Sequence, residues 1–219
     1  MTHLTFVRHG ETEWNLQGRV MGHLDSALTP TGIEQARRLA ARLRGTEFDA
    51  IYTSDLGRAE ATAAILGEGR PGEARRDARL RERRMGVFEG LTVSEMRERM
   101  PRERAEYERL GAENFIGLEI ESVRDHAARV WECARELAER HAGGRVLVVT
   151  HGGALTALFL EVFGLSYAQA QKARRPNAGV NVFTCEDGCW SMETWGDTAH
   201  LEGLRALDDP INGFRKSDR

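Results

Sequence analysis

Lysine is nearly missing from this chain of 219 residues: Lys172 and Lys216 are the only two. Positive charge therefore rests on arginine, and its balance with Asp and Glu leaves a net charge of −3. That balance excludes a general nucleic-acid binder. The abundance of arginine is read first as solvated helix faces, and only second as phosphate recognition. Cysteine is also scarce. Cys133, Cys185 and Cys189 form no metal-ligand pattern with histidine, and no metal or other cofactor is expected. Cys185 and Cys189 flank Glu186-Asp187-Gly188, a predicted hairpin turn, and are expected to face each other across two strands as free thiols. Long apolar runs are absent too. The most apolar stretch, 154–165, is too short to span a bilayer and is broken by Glu161. No basic segment precedes a long apolar one at the N-terminus. These absences predict a cytoplasmic protein with no membrane partner; a monomer or a homodimer is expected.

The composition that remains is 41% hydrophobic and 30% charged, which is ordinary for a globular chain and enough for one α/β domain with a substantial core. We assign residues 1–207 to that domain and 208–219 to a polar tail. Residues 4–7, 48–52 and 146–149 read as buried strands. Helices are predicted from Pro30, from Ser54 as a cap to about Leu66, from Ser122 to His141, and from Gly152-Gly153 through Phe163. Residues 179–185 and 190–195 alternate around a turn and predict an antiparallel hairpin. Strands alternating with helices predict a three-layer α/β/α sandwich, with a mainly parallel sheet covered on both faces.

The unusual residues fall at strand ends. Arg8-His9-Gly10 follows the first strand, Thr53-Ser54-Asp55-Leu56-Gly57-Arg58 the second, and Thr150-His151-Gly152-Gly153 the strand at 146–149. Ligands of open α/β sheets bind beyond the carboxyl ends of strands. Two histidines and two arginines thus reach one edge. Gly10 and Gly152 allow close backbone approach, and the helix after Gly153 directs free N–H groups there. Guanidinium forks, imidazoles and a helix N-terminus together suit a phosphate dianion. Either histidine could be a nucleophile, and the residues alone do not choose between them.

Arg8-His9-Gly10-Glu11-Thr12 resembles the signature of the histidine phosphatase superfamily, the phosphoglycerate mutase-like proteins. The resemblance continues at Trp14-Asn15, Gly22, Asp25, Leu28-Thr29, Tyr52-Thr53-Ser54, Arg58, Leu80-Arg81-Glu82, Gly86, Glu89-Gly90, Thr150-His151-Gly152, Pro176-Asn177-Ala178 and 196–201. It implies that His9 becomes phosphohistidine and that Arg8, Arg58 and His151 complete the phosphate pocket. Glu82 matches the general acid and base. Asn15 and Gly152 match contacts on the phosphate side, and His200 a supporting residue. The implied activity is metal-independent hydrolysis of small phosphomonoesters, with a small phosphorylated substrate as the partner.

Two residues depart from the family pattern. Met21 stands where many members carry glutamine, and Ile120 precedes Glu121-Ser122 where many carry glycine. Two other readings are a mutase and a non-catalytic binding module. Arg83 directly after Glu82 resembles the mutases, but the stretch from Glu82 to Ser122 is short, and Gly152-Gly153-Ala154 replaces the mutases' Gly-Asn-Ser. A non-catalytic phospho-ligand-binding module would be marked by loss of a pocket residue, and none is lost. Arg83, Arg84, Arg97 and Arg102 are expected to lie mainly on a solvated helix face.

Overall fold

The computed structural model describes residues 1–115 and 117–204. The expected polar tail at 208–219 lies outside the described residues. Six strands form one sheet: β1 (Thr2–Arg8), β2 (Ala50–Thr53), β3 (Arg75–Arg76), β4 (Arg145–Thr150), β5 (Val180–Glu186) and β6 (Cys189–Asp197). Their order is β3-β2-β4-β1-β5-β6. The pairs β3/β2, β2/β4 and β4/β1 are parallel, and β1/β5 and β5/β6 are antiparallel. The sheet is mixed, with its parallel part forming the side that carries β3, β2, β4 and β1.

The side-chain period of two explains why the central strands read as unbroken apolar runs. Val146 and Val148 enter the core on one face, while Leu147 and Val149 enter the core on the other. Leu4 and Phe6 join the first core and Val7 the second. Helices α6 (Val123–Arg140) and α7 (Gly152–Phe163) cover the first face, through Val130, Leu137, Leu155 and Leu158. Helices α2 (Pro30–Leu43) and α3 (Gly57–Gly67) cover the second, through Leu39, Ala59, Ala63 and Leu66.

Helix starts follow from local chemistry. Thr29 accepts the Gly32 N–H at 2.9 Å with Pro30 in the first turn of α2, and Ser122 accepts the Asp125 N–H at 3.0 Å at the start of α6. The hairpin turn is tight because Asp187 and Gly188 both adopt positive φ, which matches the twist of the flanking strands. Its register corrects one expectation. Cys185 faces Trp190, and Cys189 faces Glu186, so the two thiols are not opposite each other; both are free.

The short helix α1 (Glu13–Gln17), the two-residue strand β3, and α8 (Tyr167–Ala170) are among the elements that the sequence pattern does not announce. A third apolar cluster, of Val20, Met85, Phe88, Met96, Tyr107, Phe115 and Ile120, lies outside the two sheet cores. It joins α4 (Val93–Arg99) and α5 (Pro101–Leu110) to the loops around Met85 and Ile120. No described helix is long and apolar enough to cross a membrane.

Candidate active site

The ends of β1 and β4 are tied together. The His9 N–H donates to the Thr150 carbonyl at 2.9 Å, continuing the parallel ladder one residue beyond β1, against the last residue of β4. Gly10 is required immediately afterwards. A Cβ there would stand 2.5 Å from the Gly32 carbonyl oxygen, so the turn packs directly on the first turn of α2. The Gly10 N–H is held by Thr62 Oγ1 of α3 at 3.1 Å.

His9 is 1% exposed, and its Nδ1 lies 2.8 Å from the Gly10 carbonyl oxygen. A carbonyl only accepts, so Nδ1 carries the proton and Nε2 keeps its lone pair. Burial, then the charges of Arg58 and Arg8, hold the His9 pKa well below its ordinary value, against the Gly10 hydrogen bond. The ring is neutral at pH 7, as a nitrogen nucleophile must be.

Arg58 is buried in the first turn of α3. Its guanidinium donates to the Leu24 and Gly22 carbonyls, at 2.8 and 2.9 Å, and to Asp25 Oδ1 at 3.2 Å. Asp25 also accepts the Arg58 main-chain N–H and so begins α3 from outside. Gly57 leaves room for that carboxylate, since a Cβ would stand 2.3 Å from Asp25 Oδ2. Ser54 does not begin this helix as expected; Leu56 is the cap, without a side-chain bond. The Ser54 hydroxyl instead lies 2.8 Å from His151 Nε2. Arg8 is anchored by the Arg175 carbonyl at 2.5 Å.

His151 is fully buried, with its ring 5.2 Å from that of His9. Burial, then Arg58, His9 and Arg8, depress its pKa well below the ordinary value. Among the described residues, His151 Nδ1, Arg58 Nε and Asn15 Nδ2 are buried nitrogens with no hydrogen-bond partner. All three sit at this edge of the sheet. Such groups are costly unless something pairs with them, and a phosphate anion, rich in acceptors, fits two of them as N–H donors directly.

Glu82 is 7% exposed and clamped by main-chain donors. Oε1 accepts the Arg83 N–H at 2.7 Å, and Oε2 accepts the Gly153 N–H at 2.8 Å. His151, the cap residue of α7, supplies no side-chain bond to that helix. A carboxylate from another segment therefore meets its positive end, with Gly152 at its first position. Arg129 fixes the segment carrying Glu82. It donates to the carbonyls of Arg79, Arg81 and Glu82 at 2.8 to 2.9 Å and forms a forked pair with Glu121 at 2.6 and 2.8 Å. His23 Nε2 donates to the same Glu82 carbonyl at 3.0 Å.

The structure brings Arg8, His9, Asn15, Arg58, Glu82, His151 and Gly152, the candidate residues of the sequence, to one edge. The sequence alone does not single out Ser54, Asp25, His23, Arg129 or Asn177 for their contacts here. Ser54 and Asp25 were visible within the motifs, but which neighbour each would meet depends on folding. Arg129 was hidden in an amphipathic helix, where an arginine is ordinarily solvated. Arg83 was misplaced. It is 3% exposed, and its guanidinium is bound by the Glu121 and Ala112 carbonyls and the Tyr107 hydroxyl, so it belongs to no solvated face. Met21 is buried beside Thr12, whose hydroxyl lies 3.4 Å from its sulfur. Ile120 bridges to Met85, and the turn before it runs through Leu118 and Glu119, both at positive φ. His200 lies beside Arg42, with Nδ1 3.1 Å from Nη1, and bonds to the backbone of Ala178. Among the described residues, no cluster of three or more His, Cys, Asp or Glu side chains is placed to hold a metal ion.

The profile of the histidine phosphatase superfamily (branch 1) matches residues 4–198. The chain belongs to this superfamily. A metal-independent phosphoserine phosphatase of Arabidopsis thaliana is 35% identical over 223 aligned residues, covering 99% of this chain and 90% of that protein. A probable phosphoglycerate mutase, GpmB, of Yersinia pestis (strain Pestoides F) is 34% identical, covering 95% of this chain and 99% of that protein. A phosphoserine phosphatase mutant from Entamoeba histolytica, solved in complex with phosphoserine, superimposes with a TM-score of 0.81 at 27% identity, covering 92% of this chain and all of that one. This histidine phosphatase is a phosphoric monoester hydrolase with the phosphoglycerate mutase-like α/β fold.

Proposed function

We propose that this histidine phosphatase hydrolyses small phosphomonoesters in the cytoplasm, without a metal ion, through phosphohistidine on His9. The observation that carries this reading is His9 itself: a buried neutral ring, its Nδ1 committed to the Gly10 carbonyl, beside Arg8, Arg58 and His151. In the first step Nε2 attacks phosphorus in line and the bond to the ester oxygen breaks. Arg8 and Arg58 offset charge on the transferring oxygens, the role metal ions take in other phosphatases. Asn15 Nδ2 and the His151 ring pair with the same oxygens. Glu82 gives its proton to the departing alkoxide. In the second step Glu82 takes a proton from water, the water oxygen attacks phosphorus, and the nitrogen–phosphorus bond breaks to release phosphate.

Water is the acceptor in this reading. Arg83, the one feature resembling the mutases, has its guanidinium engaged by protein carbonyls and Tyr107. Phosphoserine and phosphorylated hydroxy acids lead the substrate candidates, on the strength of the phosphoserine phosphatases among the relatives. The test is turnover across a panel of phosphomonoesters with EDTA present. Activity on a subset of small esters in chelator is expected; activity that disappears in EDTA and returns with Mg²⁺ or Mn²⁺ would overturn the proposal.

A further inference from the structure

The loop before β5, Pro176-Asn177-Ala178, is wholly buried against the His9 turn, although more than 160 residues separate them in sequence. Asn177 Nδ2 donates to the His9 carbonyl at 3.1 Å and to Asn15 Oδ1 at 3.2 Å. The next N–H, from Ala178, is shared between the Arg8 and His9 carbonyls at 3.1 and 3.3 Å. Ala178 adopts a φ of 52° to make that contact, a conformation L-residues with a Cβ disfavour. The loop therefore latches the backbone of the pocket.

The contact with Asn15 decides which way an amide faces. Asn15 Oδ1 also accepts the Thr12 N–H and the Thr12 hydroxyl, both at 3.1 Å. A main-chain N–H can only donate, so the Asn15 atom facing Thr12 is the oxygen. Asn177 adds a further donor to that oxygen. With three donors on Oδ1, Nδ2 is turned away, and no acceptor among the described residues meets it.

We propose that Asn177 is a positioning residue of the phosphate pocket: by donating to Asn15 Oδ1 and the His9 carbonyl, it holds Asn15 Nδ2 as a donor to the phosphoryl group. Asn177 itself touches no substrate. The inference rests on the reading of this edge as a phosphate site.

The test is a double-substitution cycle on competitive inhibition by orthovanadate, with 4-nitrophenyl phosphate as substrate. Asn15→Ala removes the donor and is expected to weaken inhibition about tenfold, the loss of one hydrogen bond to a charged group. Asn177→Ala is expected to weaken it roughly three- to tenfold. Because Asn177 acts through Asn15, the double variant is expected to lie within about twofold of Asn15→Ala. Asn177→Asp keeps the shape but replaces the donor with acceptors, and is expected to weaken inhibition at least as much as Asn177→Ala. It serves where the alanine variant folds poorly. Multiplying losses in the double variant would overturn the inference, as would Asn177→Ala and Asn177→Asp that both inhibit like the wild type. Failure of the phosphatase reading looks different: wild-type protein that neither hydrolyses the ester nor responds to vanadate removes both.

Discussion

Gly153 and Glu82 fit each other so closely that no side chain can stand between them. The Gly153 N–H donates to Glu82 Oε2 at 2.8 Å, while a Cβ on Gly153 would lie 1.9 Å from Oε1. The second glycine of Gly152-Gly153 is thus explained by the carboxylate it holds. Gly153 has ordinary helical φ, so the demand is for space and not for conformation.

Gly153→Ala is therefore expected to displace the Glu82 carboxylate while leaving the fold intact, because the colliding atoms are the end of a movable side chain. Its melting temperature should stay close to that of the wild type, while kcat for an alkyl phosphate falls by about 10²-fold, the low end for a misplaced general acid. A variant with unchanged kcat would show that Glu82 needs no such clamp.

Substituting the acid itself separates proton transfer from binding. Glu82→Gln is expected to slow alkyl ester hydrolysis by roughly 10²–10⁴, and nitrophenyl phosphate hydrolysis much less, since that leaving group needs little protonation. The amide also sets an NH₂ group against either the Arg83 or the Gly153 N–H, so part of the loss is geometric. Glu82→Ala separates the two effects. Equal losses on both esters, in both variants, would assign Glu82 a structural role.

Stability should depend on pH in a defined window. His9, His126 and His151 are buried, and burial, then neighbouring arginines, lower each pKa well below the ordinary 6.5. His23, His141 and His200 shift the same way, also mainly by burial. Below about pH 6.5 the unfolded chain takes up protons that the folded chain refuses. The stability of the neutral rings is thus complete above pH 6.5 and is lost as pH falls below it, by up to about 1.4 kcal/mol per pH unit for each fully buried ring. Urea midpoints at pH 7.5, 6.5 and 5.5 check this. A clear fall between 6.5 and 5.5 with little change above is expected; a flat profile would contradict it.

Much of the site was legible because its residues follow directly on strands. Arg8-His9 and His151 could be placed from the apolar runs of β1 and β4, since strand ends of one parallel sheet converge. Arg58 could be placed less directly, as the first turn after β2. Glu82 was not legible from periodicity: it lies in an irregular arginine-rich loop, and only its match to the family pattern singled it out. Asn177 and Ser54 show where residue types run out. Both are small polar residues in turns, and their importance comes from the partner each meets across the fold. Arg83 shows the opposite error, a charged residue in a polar stretch that is buried with its guanidinium on the Glu121 and Ala112 carbonyls and the Tyr107 hydroxyl. The antiparallel β5 and β6 were anticipated as a hairpin; that β5 joins the sheet beside β1 could not be read from either strand.

The most direct test of the account is where phosphate is found during turnover. Either His9 or His151 could carry it on composition alone, and their rings are only 5.2 Å apart. His9 has its Nδ1 fixed on a carbonyl and Nε2 left to attack, whereas Nε2 of His151 is engaged with Ser54. Rapid-quench labelling with a ³²P phosphomonoester, followed by peptide mapping at alkaline pH, distinguishes them. The account predicts acid-labile label on His9, none in His9→Ala, and slow residual labelling in His151→Ala, because losing an electrostatic partner lowers the rate but leaves the covalent route open. Label on His151, or full activity in His9→Ala, would contradict it.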